Sequence, residues 1–207
     1  MVKISAALPT HMKAVVLRDY DGTPQSVAAA DFSVPRLRSG QVLIKLAASP
    51  IGPADLMFLK GQYGITKPLP VVPGFEGSGT VIASGGGWLG WGLVGKPVAC
   101  LALEDGYGTW AEYMVTSADL CIPLFKHTSF EQGACLTINP MTACALVEIA
   151  RTDGHTALVT NGRCQCAGGH DSPSGQALSA HRNPHRASAG TGPETQEPGV
   201  RIRVRQQ

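Results

Sequence analysis

The chain has 207 residues, an apolar share of 43% and a formal net charge of +2. That length holds one large domain or two small ones, the apolar share is that of a globular protein, and the small charge singles out no strongly acidic or basic partner. No apolar run approaches the roughly eighteen residues of a membrane span, and residues 1–10 hold one lysine and few apolar residues before Pro9, so the sequence predicts a soluble cytoplasmic protein with no membrane partner. Cys100, Cys121, Cys135 and Cys144 stand in apolar surroundings without framework spacing, which fits reduced thiols.

In chain order the first half reads as β. The stretches 13–17 (KAVVL), 41–49 (QVLIKLAAS), 77–84 (GSGTVIAS), 96–102 (KPVACLA) and 109–116 (TWAEYMVT) are short, β-rich and bounded by Gly, Pro or Asp, as strands of a compact barrel are. The glycine run at 84–88 (SGGGW) follows a strand and lacks the helix start that a phosphate cradle requires. The second half turns helical. Ser129 with Gln132 has the form of a capping box, and Asn139 before Pro140 reads as the N-cap of a helix through "MTACALVEIARTDG". A strand at 156–159 (TALV) then suggests that an α/β layer has begun.

Composition breaks near Asn161. From there to Gln207 the large apolar residues are Leu178, Val200, Ile202 and Val204, with six arginines and no lysine or aromatic residue. Such a segment offsets little of its ordering entropy, which predicts a disordered tail over 161–207. Cys164, Cys166 and His170 lack a fourth metal ligand and a core to hold them. The arginines in "RIRVRQQ" read as a solvated tail, so no nucleic-acid partner is expected.

Four blocks in sequence, "SPIGPADLMFLKGQYG" (49–64), "LPVVPGFEGSGTVIASGGG" (69–87), "GTWAEYMVTSADLCIPL" (108–124) and "INPMTACALV" (138–147), resemble the medium-chain dehydrogenase/reductase superfamily, with its zinc-free quinone oxidoreductase and enoyl reductase members as the nearest branch. The resemblance implies an α+β chain: an extension over 1–11, a GroES-like β-barrel-type catalytic domain over 12–125, the start of an incomplete Rossmann domain over 126–160, and the tail. It implies NADPH or NADH as cofactor, a quinone or enone as the small-molecule electrophile, and homo-oligomers as the family habit.

Zinc-dependent relatives carry a Gly-His-Glu triplet where this chain has Gly74-Phe75-Glu76, and a cysteine in the first block where it offers Ser49, Pro50 and Ile51. A phenyl ring ligates no metal, and Asp55 with Glu76 makes a poor zinc set without nitrogen or sulfur neighbours, so no metal is expected. Without a Lewis acid, the reaction implied is hydride transfer to an activated C=C bond or a quinone, whose developing anion needs a donor. Tyr63, in "KGQYG", matches the block whose tyrosine serves the enoyl reductases as proton donor. Asn139 and Thr142 resemble the cofactor-facing segment, and Gly52, Asp55 and Phe75 fall in the substrate cleft, Gly52 standing where many relatives have Asn.

After Val159 the zinc-free relatives carry a small-residue turn that approaches the cofactor pyrophosphate. Read one base later, residues 161–171 can spell Thr-Ala-Ala-Ala-Ser-Ala-Leu-Gly-Gly-Met-Ile, and the codons with least freedom, at Cys164, Gln165, Cys166 and His170, all agree with it. The expectation is a frameshifted tail, a missing cofactor domain and an inactive chain. The alternatives are a non-enzymatic GroES-like binding module, or nucleic-acid binding by the arginine tail.

Overall fold

The computed structural model describes residues 8–102 and 107–155. The chain divides into two units, Met1–Met141 and Thr142–Gln207. The first unit is α+β and sheet-rich. Its five-stranded antiparallel sheet has the order β6-β3-β4-β5-β7, formed by β3 (Gln41–Ala48), β4 (Glu76–Ser84), β5 (Pro97–Leu101), β6 (Tyr113–Ser117) and β7 (Cys121–Pro123). A second sheet pairs β1 (His11–Leu17) with β2 (Val27–Ser33).

The sequence-predicted strands at 13–17, 41–49, 77–84 and 96–102 lie within a residue or two of β1, β3, β4 and β5. The stretch 109–116 splits. Residues 113–116 join β6, whereas Gly108 and Trp110 donate their amides to Val72 and Pro73, so the start of the stretch follows another partner. β2 (VAAADFS) escaped the sequence reading because its alanines carry little β signal; its register comes from pairing with β1, with Lys13 opposite Asp31. The strand expected at 156–159 and the tail lie outside the described residues.

One apolar cluster fills the face of the large sheet with Val42, Ile44, Val81, Val98, Cys100 and Met114. Cys100 sits directly opposite Cys121 across β5 and β7, and both are buried free thiols. Burial pushes both thiols up, Cys121 to about 12, with the charge of Asp119 adding to the effect. A second cluster, Leu17, Phe58, Val71 and Phe75, ties β1 to the loops that carry the candidate site.

Four α-helices, α1 (Pro53–Leu59), α2 (Trp88–Leu93), α3 (Phe130–Ala134) and α4 (Ile138–Thr152), and two single 3-10 turns, Pro24–Ser26 and Ala118–Leu120, complete the described residues. The glycine run therefore does open a helix, the six-residue α2, contrary to the sequence reading. The capping box at α3 is present as expected, with Gln132 N donating to Ser129 Oγ and Ser129 N to Gln132 Oε1. α4 spans the predicted helix and begins one residue before Asn139.

Candidate functional site

Tyr63 is placed by the way α1 ends. Gln62 N donates to Met57 O and Gly61 N to Phe58 O, a Schellman pair that needs Gly61 at φ 63°. The chain leaves the helix at that left-handed residue and delivers the Tyr63 ring onto Phe75, 5.0 Å between centroids. Phe75 meets Phe58 edge-on at 5.4 Å, and Phe58 meets Tyr20 in the same way, also at 5.4 Å. Such edge contacts each contribute about 1 kcal/mol beyond area burial.

The two tyrosines that flank this stack differ at the hydroxyl. Tyr20 donates to Lys67 O at 2.8 Å and accepts from Lys67 N at 2.9 Å. The hydroxyl of Tyr63 makes no hydrogen bond among the described residues. Its ring is half-buried against Phe75 while its donor is unused.

Phe75 is fixed by Gly74. At φ +97°, a Cβ there would run into Thr109 Oγ1 and Trp110 Cδ1, so the segment 72–75 lies tightly against 108–110. Phe75 itself is buried in the aromatic stack and offers no ligand atom. Among the described residues, no three His, Cys, Asp or Glu side chains gather as a metal set.

Glu76 is 8% exposed and joins β4 to the start of α4. Its Oε2 accepts from Thr137 N (3.1 Å), Thr137 Oγ1 (2.7 Å) and Ile138 N (2.9 Å), so a carboxylate faces the positive end of a fifteen-residue helix. Its backbone carbonyl accepts from Ser49 Oγ and Thr109 Oγ1, which lie 2.7 Å from each other. Ile138 packs into the same cluster as Phe75 and Tyr63.

This arrangement corrects the reading of Asn139. The residue sits inside the first turn of α4, exposed, and is not the cap; Glu76 satisfies the leading amides from across the fold. Pro140 is tolerated because first-turn amides need no intrahelical partner. The missed residue is Thr137, whose type just before "INP" was itself an N-terminal signal. Thr142 lies three residues after Asn139 on α4, in the second unit.

Asp55, 5% exposed, occupies the third position of α1. Its Oδ2 accepts the Gly52 amide at 2.7 Å, and its Oδ1 has no partner. Burial pushes its carboxyl above the usual aspartate range, aided by the negative charge of Glu76, while the Gly52 and Phe75 amides pull the other way. Gly52 itself has open space where a side chain would stand, Asp55 Oδ2 being its nearest neighbour at 3.5 Å.

The structure thus brings together Tyr63, Phe75 and the start of α4, with Gly52 and Asp55 at the neighbouring end of α1. A largely apolar groove of about 510 Å³, lined by Leu46, Ala48, Ser49, Ile51, Thr109 and Trp110 among others, includes none of these residues; Ser49 and Thr109 link it to the backbone carbonyl of Glu76. For a nicotinamide dinucleotide the fit is partial. Among the described residues, none forms the glycine turn after a strand that cradles a pyrophosphate, and Asn139 is an exposed side chain in the first turn of α4.

Comparison with known proteins agrees with this architecture. Residues 38–126 match the alcohol dehydrogenase GroES-like domain. The mitochondrial enoyl-[acyl-carrier-protein] reductase of Arabidopsis thaliana is 29% identical over 163 residues, which cover 75% of this chain and 41% of that protein. The chloroplastic NADPH-dependent alkenal/one oxidoreductase of the same plant is 34% identical over 168 residues, covering 78% of this chain and 44% of that one. The crystal structure of a protein described as an NADPH:quinone reductase, from Mesorhizobium loti, superposes with a TM-score of 0.65 at 37% identity over 73% of this chain and 47% of its own.

The β domain and its sequence kinship define the chain as a member of the medium-chain dehydrogenase/reductase superfamily. Within it, the chain belongs to the quinone oxidoreductase-like branch, a group of oxidoreductases. It spans less than half the length of each of the three relatives compared above.

Proposed function

We propose that this chain provides the substrate-side domain of a zinc-independent, NAD(P)H-dependent oxidoreductase that reduces an activated C=C bond or a quinone in the cytoplasm. Residues 12–125 form that domain and residues 126–160 begin the cofactor domain. The observation that carries the reading is Tyr63: a ring held by Phe75 beside the start of α4, with a hydroxyl that no other described residue engages. A neutral phenol at that place can donate to an enolate or hydroquinone oxygen as charge develops there.

NADPH, when bound, supplies the hydride. The other roles fall to the chain's own side chains. Phe75 holds the phenol of Tyr63 in place, Glu76 anchors the helix that presents Asn139, and Asn139 and Thr142 are the residues that would hold the nicotinamide end. The absence of zinc belongs to the same proposal and is supported by Phe75 standing in the aromatic stack where zinc-dependent members of the superfamily place a histidine. The kinship with NADPH-dependent alkenal and quinone reductases supports the substrate class.

By the same reading, the 207-residue chain alone binds no NADPH at concentrations near 1 mM, the weak end of the affinity scale, because two nicotinamide-end contacts do not offset the entropy of association. Joined to the cofactor domain that the shifted reading frame would encode, the protein is expected to turn over an enone or quinone. Tyr63→Phe in that protein is expected to lower kcat by about 10²-fold with little change in cofactor affinity. Unchanged turnover would return Tyr63 to packing alone, and micromolar NADPH affinity in the 207-residue chain would overturn the account of the residues after Val159.

A further inference from the structure

α2 has two unlike faces. Gly90 and Leu93 are buried, Leu93 in the core of the large sheet and Gly90 against Ser84 and Val42. Gly90 has no room for a side chain there, and this close seat turns the remaining residues outward. Trp88 is 86% exposed and Trp91 69%, with Leu89 beside them. Two indoles one helical turn apart on a rigid platform form an apolar patch that the fold itself does not use.

Cations border the patch. The exposed residues Arg36 and Arg38 belong to the loop that lies against Gly85: Gly85 N donates to Gln41 O, Arg38 N to Gln41 Oε1, and a Cβ on Gly85 would strike the Arg38 carbonyl. Gly85 stands three residues before Trp88. Just after α2, Lys96 N donates to Leu93 O, and that lysine is exposed. The segments 34–40 and 84–97 contain no acidic residue, and α2 packs against the turn Ala118–Leu120, which carries Asp119.

We propose that Trp88 and Trp91 dock the protein on an anionic lipid surface, with the indoles at the headgroup level and Arg36, Arg38 and Lys96 facing the lipid charges. Indoles favour that level because one side is apolar and the N–H remains hydrated. A second copy fits less well. A two-fold contact through this patch would set arginine and lysine against their own equivalents. The two indoles and Leu89 offer on the order of 400 Å², about half of what one partner brings to a standard protein interface. Surface docking needs no spanning segment, and among the described residues no helix is long and apolar enough to cross a membrane.

The chain has three tryptophans, and Trp110 is half-buried with its Nε1 donating to Pro50 O, so emission from the exposed pair reports directly on the patch. The 207-residue protein is mixed with vesicles of brominated phosphatidylcholine, alone or with phosphatidylserine, at low and high salt. Quenching of tryptophan emission by the mixed vesicles at low salt is expected, weak for phosphatidylcholine alone. Trp88→Ser with Trp91→Ser is expected to lower vesicle retention at least tenfold, and Arg36→Gln with Arg38→Gln by about 25-fold, given about fivefold per cation at a charged surface. Absence of quenching in the wild type would overturn the proposal even if a variant failed to fold. So would equal retention of the double tryptophan variant, which would assign binding to the arginines beyond residue 160, or a concentration-dependent dimer that the same variant abolishes.

Discussion

Asp55 and Glu76 carry the same chemical group at nearly the same depth, yet the fold treats them differently. One oxygen of Glu76 gathers three donors from the segment entering α4, whereas Asp55 takes the Gly52 amide at 2.7 Å on Oδ2, feels the Phe75 amide more weakly, and has no hydrogen bond at Oδ1. Glu76 holds two elements together and Asp55 closes only the first turn of its own helix. Depth alone therefore says little about what a buried carboxylate does; the number and origin of its donors decide it.

The contrast can be broken by mutation. Glu76→Ala removes the acceptor shared by Thr137 N, Thr137 Oγ1 and Ile138 N and is expected to destabilise the first unit by about 3 kcal/mol, since hydrogen bonds to charged groups are worth about 1.5–3 kcal/mol each and partly overlap. Urea denaturation measures it; a loss below about 1 kcal/mol would mean that the start of α4 finds other acceptors. Tyr20→Phe should cost about 1 kcal/mol through its two bonds to Lys67, and Tyr63→Phe within about 0.5 kcal/mol, because only one of these hydroxyls is engaged. Equal losses would remove the free donor on which the proposed function rests.

Asp55 sharpens the contrast through pH. Its folded-state value is raised above the ordinary 3.8, so between those two values the folded chain binds the proton more tightly than the unfolded chain. The contribution to stability is present in full below about pH 3.8 and is lost as pH rises through the folded value. Asp55→Asn should therefore flatten the fall in stability on the alkaline side of pH 3.8, measured as denaturation midpoints across that range. An unchanged pH profile would show the carboxyl to be better solvated than its burial implies. The smallest expected effect is that of metal removal: purified protein should carry no stoichiometric zinc by atomic spectroscopy, and a chelator should leave Tm unchanged. One tightly held zinc per chain would end the zinc-independent reading.

Much of this fold is written locally. β3, β4 and β5 could be read because apolar β-formers sit between turn residues, and α3 because Ser129 and Gln132 cap each other within four residues. What escaped depends on distant partners. β2 is a strand because β1 lies beside it, and the end of α1 is settled by a left-handed glycine whose meaning appears only once Tyr63 is seen to land on Phe75. Asn139 looked like a cap because capping is usually local; here the acceptor arrives from Glu76, sixty-one residues before Thr137. Tyr63 was legible from its motif, but the freedom of its hydroxyl, compared with that of Tyr20, was not.

The facing cysteines of β5 and β7 have a practical consequence. A thiol reacts as its thiolate, and burial holds Cys100 and Cys121 protonated at neutral pH, whereas Cys135 and Cys144 are exposed. An alkylating reagent should modify Cys144 readily, Cys135 more slowly because partial burial and the Glu76 charge also push its thiol up, and the buried pair only when the sheet opens. The rate of that slow labelling is then a clock for opening of the sheet, read by mass spectrometry in native buffer without denaturant. Any substitution in the domain can be timed against it.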